Sequence, residues 1–346
     1  MSDSENQNED SPEIDPSLDG PVSDLGRCKI GEVQVFNQIV VYPLLGKSSG
    51  PDYLTLNAAL DQSALTVTEV SEGGSVPELK VTTHATLPIL IIDGEELVGA
   101  KQNRVVNTSI LLGEKDELII PVSCTEQGRW HYTSAAFQKS ANVLERKTRA
   151  RKSRAVHCSL EEDSGHQSNQ GDVWEGIGEL SAKASFHSPT SAMKDVFEVR
   201  ENDLRRAMER FTMRENQVGL IVEIDGKIVG LDWVSRPHAY AELHDKLVRS
   251  YILDPLLDPP KPEAKPSKPK AKRFLTTALK TQGKRFPSPG RGDDLRFKTP
   301  QLAGSVLALD GHAIHAAFFR LEPETAGGNQ MASLRRRRMR HADPEL

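Results

Sequence analysis

The stretch Ile91–Arg104, IIDGEELVGAKQNR, decides how the chain is read. Its first half has the form of a β-hairpin, with an apolar run, Asp93-Gly94 and a return strand. Asp-Gly suits a two-residue type I′ turn, whose central positions both need positive φ. Its second half ends in four long polar side chains, Lys101, Gln102, Asn103 and Arg104, which no turn requires. The same signal recurs at Asp225-Gly226 and Asp310-Gly311, each between an apolar run and a return strand. Duplication of a hairpin unit and chance recurrence both remain open, because Asp-Gly is a strong hairpin signal in any sequence.

Outward from this stretch the texture is β from about residue 31 to 126. Runs such as VQVFNQIVVYPLL, ALTVTEV, LKVTTHA, LPILII and ELIIPVSC are rich in Val, Ile, Leu and Thr and are separated by Gly, Pro, Asp or Ser. From Ala135 to Phe211 the spacing predicts helices, most clearly in VWEGIGELSAKASF and in VFEVRENDLRRAMERF, which follows possible N-cap oxygens in SPTSAM. QVGLIVEIDGKIVGLDWV returns to strands, and HAYAELHDKLVRSYILDPLL predicts an amphipathic helix. Residues 258–273 hold five prolines and six Lys or Arg, a composition that predicts an extended, solvated linker. The apolar LAGSVLALDGHAIHAAFF beyond it reads as a further hairpin, so the linker is an insertion. The fold class is α+β, mainly antiparallel sheet built from hairpins, with a block of helices in the middle of the chain. The expected organisation is an acidic, disordered tail over 1–27, one domain over 28–322, and an Arg-rich, disordered tail over 323–346.

Charge is segregated rather than large. The net charge is -5, yet residues 1–24 carry eight acidic and no basic residues, while Leu334–Arg340 reads LRRRRMR. Blocks of like charge repel and stay solvated. Cys28, Cys124 and Cys158 are odd in number and widely spaced, which argues against a disulfide framework or a Cys-x-x-Cys metal site and for a reducing compartment. The acidic start lacks a signal-peptide pattern, and no apolar run approaches the roughly 20 residues of a membrane helix. The expected location is cytoplasmic, with no membrane contact and no metal.

The candidate site follows from strand alternation. In RVVNTSILL, Arg104, Val106, Ile110 and Leu112 share one face; in ELIIPVSCTE, so do Leu118, Ile120, Val122, Cys124 and Glu126. Pairing the two runs across GEKDE sets Leu112 opposite Leu118, Val106 opposite Cys124 and Arg104 opposite Glu126. Opposed Cβ atoms lie roughly 4.5–5.5 Å apart, so an Arg and a Glu meet at the open end of an apolar face. Gln102 falls on that face, and QGRWHY brings Arg129 and Trp130 to the same end. As a ligand site, Glu126 is a general base or acceptor, Lys101, Arg104 and Arg129 bind an anion, Gln102 and Asn103 read polar edges, and Trp130 offers a stacking face. The structural alternative is an ion pair that caps a hairpin.

Phosphate-loop, dinucleotide-binding, His-Glu-x-x-His and nucleophile-elbow motifs are absent from the sequence. Cys124 reads as a core thiol or a nucleophile, and His315, in the apolar HAIHAAFF, as a core histidine or an acid–base group. ERKTRARKSR, residues 145–154, carries six Lys or Arg at mixed helical spacing. It predicts a solvated helix face, with a polyanion or protein partner there or at the C-terminal Arg run as the functional alternative.

DGEELVGAKQNR, PVSCTEQGRW, NQGDVWEGI and GLIVEIDGKIVGLD together resemble the ARG (ADP-ribosylglycohydrolase) and rhodanese-phosphatase-superfamily-associated protein domain. LAGSVLALDGHAIHAAFF resembles the end of that domain, so the resemblance runs from about Gly31 to Arg320. It implies one contiguous domain and an association with ADP-ribose metabolism; it names no reaction and no cofactor. Its motif residues fall here on Glu95, Glu96, Lys101, Gln102, Asn103, Arg104, Cys124, Glu126, Gln127, Arg129, Trp130, Trp174 and His315. The expectation is a protein that binds, and processes by acid–base chemistry through Glu126 and His315, a nucleotide or ADP-ribose-like anion. The alternative is a non-catalytic module that holds a protein or RNA partner.

Overall fold

Nine antiparallel strands build the largest sheet of the computed structural model, which describes Gly20 and residues 22–322. Its spine runs Ile39–Leu45, Gln217–Ile224, Lys227–Val234, His312–Arg320, Leu302–Leu309 and Asp293–Thr299. Lys29–Ile30 and Gln34–Phe36 pair with the first of these, and Gly283–Pro287 forms the far edge. Segments from both ends of the chain thus meet in one sheet. Side-chain alternation divides it between two cores. Val41, Leu220, Val222, Val234, Ala317 and Phe319 pack with helix Pro237–Leu256. Tyr42, Leu44, Ile221, Leu231, Trp233 and Phe318 pack with helix Lys268–Lys280 on the other face.

The segment 258–273 therefore departs from the sequence expectation in its second half. Residues through Ser267 are outside regular structure, but Pro269 sits in the first turn of a helix, where its missing N–H costs nothing. Ala271, Phe274, Leu275 and Ala278 give that helix the apolar stripe that a linker would lack. The expected acidic tail is also shorter on its folded side, since Ser23–Gly26 is a helical turn with Leu25 fully buried. The remainder of that tail and the Arg-rich tail from residue 323 lie outside the described residues.

Two of the three Asp-Gly pairs make the expected turns. Asp225 and Gly226 have φ of 51° and 75°, Asp310 and Gly311 of 50° and 81°, and each pair joins strands that are hydrogen-bonded to one another. Asp93-Gly94 does not. Only Gly94 has positive φ, and the strands it joins belong to different sheets. Ile89–Ile91 pairs with Ile110–Leu112 and Leu54–Thr55; Glu95–Gly99 pairs with Phe137–Val143 and Arg104–Val106. A tertiary contact overrides the local signal. A Cβ on Gly94 would stand 2.9 Å from Arg149 Cδ, so glycine serves here to admit a guanidinium stem.

Glu95–Gly99 belongs to a six-stranded sheet, ordered Phe137–Val143, Glu95–Gly99, Arg104–Val106, Glu117–Cys124, Glu78–Thr83 and Leu65–Thr68. The first and last of these approach each other, so the sheet curls around a third core of Leu65, Val67, Val81, Leu97, Val106 and Val122. Phe137–Val143 is a strand where the spacing suggested helix; the helical block begins at Arg146 and continues through Gln170–Lys183, Met193–Val199 and Glu201–Met208.

Helix Arg146–Glu161 corrects a second expectation. Only half of its six cations lie on a solvated face: Arg146, Arg149 and Lys152 are buried, and Lys147, Arg151 and Arg154 are not. Arg149 donates to both oxygens of Asp232 at 3.0 and 2.6 Å and reaches Asp93 at 3.3 Å. Lys152 binds the other oxygen of Asp93 and the carbonyls of Val106 and Asn107. Burial lowers the Lys152 ammonium to about 8, with Asp93 opposing the fall. Tyr251 Oη donates to Asp232 at 2.8 Å.

Removing one member of such a web strands the others in a medium that cannot solvate them, at roughly 3–5 kcal/mol. Arg149→Met is expected to lower the unfolding free energy by that amount in urea titration. Arg151→Met, which breaks only the exposed pair with Glu179, is expected to cost under about 1 kcal/mol.

Candidate functional site

The inward-facing residues at one end of the curled sheet are polar. Leu65 and Val67 point to its core, and the same alternation carries Glu69 inward just beyond the strand. Arg104, fully buried, lies at the start of its strand and is directly opposite Cys124. This register differs by two residues from the sequence expectation, which put Glu126 there. Ile110–Leu112 leaves for the other sheet, so it cannot pair with Glu117–Cys124, whose first half pairs with Glu78–Thr83 instead. A two-residue shift preserves the face, so Arg104 still looks where alternation aimed it.

Glu126 reaches the site another way, on the irregular segment after its strand. Arg129 Nε and Nη2 stand 2.9 and 2.7 Å from Glu126 Oε2, and the Asn103 N–H donates to the same oxygen at 3.3 Å. Gln102 Nε2 donates to the Glu126 carbonyl, and its Oε1 accepts from Arg104 Nη1 at 2.9 Å. Asn103 Oδ1 accepts from Arg129 Nη2 at 3.0 Å, and Arg129 Nη1 donates to the Ala100 carbonyl at 2.7 Å. Burial alone would raise the Glu126 carboxyl, but hydrogen bonds from Arg129 and Thr190 hold it below the usual carboxylate range. It is an ionised anchor for the donors around it.

Above this floor lie two exposed aromatics, Trp130 and Tyr132. Lys101 Nζ is 5.6 and 5.1 Å from their ring centroids, and Arg104 Cζ is 5.6 Å from that of Trp130. Lys101 Nζ also donates to the carbonyls of Glu72 and Gly73, tying the loop after Glu69 to the cluster. Gly74 in that loop has φ of 77°, and a Cβ there would stand 3.4 Å from Trp130 Cζ2.

The cluster is only partly satisfied. Arg104 Nε and Nη2, Asn103 Nδ2 and Glu69 Oε2 are buried with no hydrogen-bond partner, and the nearest opposite charge to Arg104 Nη2 is Glu69 Oε1 at 4.0 Å. Three donors and one acceptor thus lack partners around one guanidinium. Burial lowers the Arg104 guanidinium from its ordinary value, and burial also raises the Cys124 thiol, with Arg104 opposing. Cys124 is therefore a thiol.

Of the expected site residues, Lys101, Gln102, Asn103, Arg104, Glu126, Arg129 and Trp130 come together here. His315 does not. Its Nδ1 is 2.7 Å from Ser109 Oγ and its Nε2 3.5 Å from Asp232 Oδ1, placing it in the buried web around Arg149. Glu69 is the member that sequence reading missed. Its signal was an acid continuing the apolar alternation of Leu65 and Val67. Glu96, on the opposite face of its strand from Leu97, is fully buried and accepts from Ser140, Thr125 and Asn142. Burial pushes its carboxyl up to about 7, because its partners are neutral donors. Among the described residues no group of three or more His, Cys, Asp or Glu side chains could hold a metal ion, and no helix is long and apolar enough to cross a membrane.

The chain belongs to the ARG and Rhodanese-Phosphatase-superfamily-associated Protein domain family, whose model matches residues 27–319. No curated protein and no solved structure matches it.

Glu96 yields a prediction with a definite sign. Its folded value, about 7, lies above the ordinary 4.5, so the folded state holds the proton more tightly. The contribution to stability is complete below about 4.5 and is lost as pH rises to about 7, at about 1.4 kcal/mol per unit of difference. Glu96→Gln is expected to be more stable than wild type at pH 8, with the difference closing toward pH 4.5 in denaturant titrations. A difference independent of pH would refute the assignment.

Proposed function

We propose that the Arg104 cluster binds a small anionic ligand of nucleotide or ADP-ribose-like chemistry. The observation that carries this reading is the set of partnerless buried atoms: Arg104 Nε and Nη2 with Asn103 Nδ2 as donors, and Glu69 Oε2 as an acceptor. Leaving such groups unpaired costs roughly 1–3 kcal/mol each, more for charged ones, and a ligand oxyanion removes that cost for the donors. Glu69 suits the hydroxyl groups of a sugar, and the exposed Trp130 suits a planar base. The family's association with ADP-ribose-related and phosphatase proteins supports the same class. Glu126 acts in this reading by holding Arg129 and Asn103 in place; any proton transfer would fall to a group less firmly paired.

A second reading, an interaction surface for a polyanion, has one observation in its favour. Lys268, Lys270, Lys272 and Arg273 face outward on helix Lys268–Lys280, whereas three of the six cations at 145–154 are buried. The C-terminal Arg run lies outside the described residues.

Thermal-shift titration with ADP-ribose, NAD and pyrophosphate tests the first reading. A ligand at 100 times its Kd adds about 2.7 kcal/mol to the folded state. Trp130→Ala, at a half-exposed position, is expected to keep wild-type stability and to weaken ADP-ribose roughly tenfold, the value of about 1.4 kcal/mol of stacking. No shift with any of the three ligands, from a protein that unfolds cooperatively, would sink the reading.

A further inference from the structure

Beside the Arg104 cluster, on the other side of the segment that carries Glu126, lies a cavity of about 260 Å³. Its walls come from two elements. Helix Gln170–Lys183 supplies Trp174, Ile177 and Gly178, and the turn before helix Met193–Val199 supplies Phe186 and Ser188. Gln127 closes it from the segment between the two sites. The turn is fastened to that segment: Gly128 N–H donates to the Thr190 carbonyl at 2.8 Å, Met193 N–H to the Thr125 carbonyl at 2.9 Å, and Glu126 forms a bridge with Ala192.

The lining has a definite chemistry. It contains no Asp, Glu, Lys or Arg, and His187 is its one titratable side chain. It offers aromatic surface from Trp174 and Phe186, an apolar wall from the buried Ile177, and neutral donors and acceptors from Gln127 and serine hydroxyls. With no Lys or Arg in the lining, a salt or a free phosphate would meet only His187. A flat, uncharged ring with polar atoms on its edge would fill the space, stack on aromatic surface and exchange hydrogen bonds with Gln127 and the serine hydroxyls.

We propose that this cavity is a binding subsite for an uncharged nitrogen heteroaromatic ring, the chemistry of a nucleobase or a nicotinamide. It goes beyond the anion reading and stands whether or not Arg104 binds a phosphate.

Gly178 makes the test clean. A Cβ built there meets nothing within 4 Å, so a substituted side chain starts in open space at the cavity wall, on a helix that gains from losing a glycine. Gly178→Leu is expected to fold at least as stably as wild type. Adenosine and nicotinamide, both without phosphate charge, are titrated by calorimetry against wild type and Gly178→Leu, with pyrophosphate as the probe of the Arg104 cluster. The expected result is saturable binding of adenosine or nicotinamide to wild type, and binding at least tenfold weaker to Gly178→Leu. Pyrophosphate affinity is expected to be the same in wild type and Gly178→Leu, so failure at one site is distinguishable from failure at the other. Absence of saturable binding of both rings in the millimolar range, or binding that Gly178→Leu leaves unchanged, overturns the proposal. If Gly178→Leu loses its cooperative unfolding transition, Ala182→Phe, which fills the same cavity from an exposed position, replaces it under the same criteria.

Discussion

The fork of Arg149 onto Asp232, with its reach to Asp93, is the constraint on which the rest of the arrangement depends. Asp232 sits in the middle of the nine-stranded sheet, Asp93 at the turn between the two smaller sheets, and Arg149 on the helix wedged among them. A buried charge is tolerable only when paired and hydrogen-bonded, so the three elements have little freedom to move apart. Lys152 extends the constraint to the carbonyls of Val106 and Asn107, fixing the strand that begins at Arg104. The candidate ligand site is therefore held in place from about half a strand away by a charge web that takes no part in it.

The two polar clusters differ in kind. Around Arg149, both oxygens of Asp93 and both of Asp232 are engaged by cations. Around Arg104 one guanidinium shares its surroundings with a carboxylate 4.0 Å away and with donors that have no acceptor. Buried arginine in the first case is explained by the fold alone. In the second the fold leaves the guanidinium under-paired, and half-exposed aromatics and a tied loop stand between it and solvent. In the proposed reading the ligand is the missing partner.

Much of this was legible in the sequence wherever the deciding interactions are local. Alternation found the strands and the face that Arg104 occupies, and Asp225-Gly226 and Asp310-Gly311 were read correctly because both central residues are free to take positive φ. Reading failed where a distant partner decides. Asp93 and Asp232 lie 56 and 83 residues from Arg149, so nothing in ERKTRARKSR could reveal that Arg149 faces inward. The same contact turned an apparent hairpin at Asp93-Gly94 into a junction between sheets. The register of Arg104 slipped by two residues because the strand Ile110–Leu112 departs to pair with Ile89–Ile91, a choice of partner that alternation cannot encode. Segment 258–273 misled through composition, its prolines and lysines outweighing an apolar stripe that begins only at Ala271.

The segment Thr125–Trp130 shows how one strand end serves several environments at once. Thr125 donates to Glu96 on the helical side of the sheet, Glu126 holds Arg129 on the inner side, Gln127 lines the cavity beside Trp174, and Trp130 covers Arg104. Because strand Glu117–Cys124 fixes where this segment starts, these four placements are not independent. Ionising Glu96 strengthens what it demands of Thr125, Ser140 and Asn142, and the Thr125 and Asn103 backbones are themselves joined by a hydrogen bond of 3.0 Å. One hydrogen-bonded path thus runs from the Glu96 carboxyl through Thr125 to Asn103, beside Arg104.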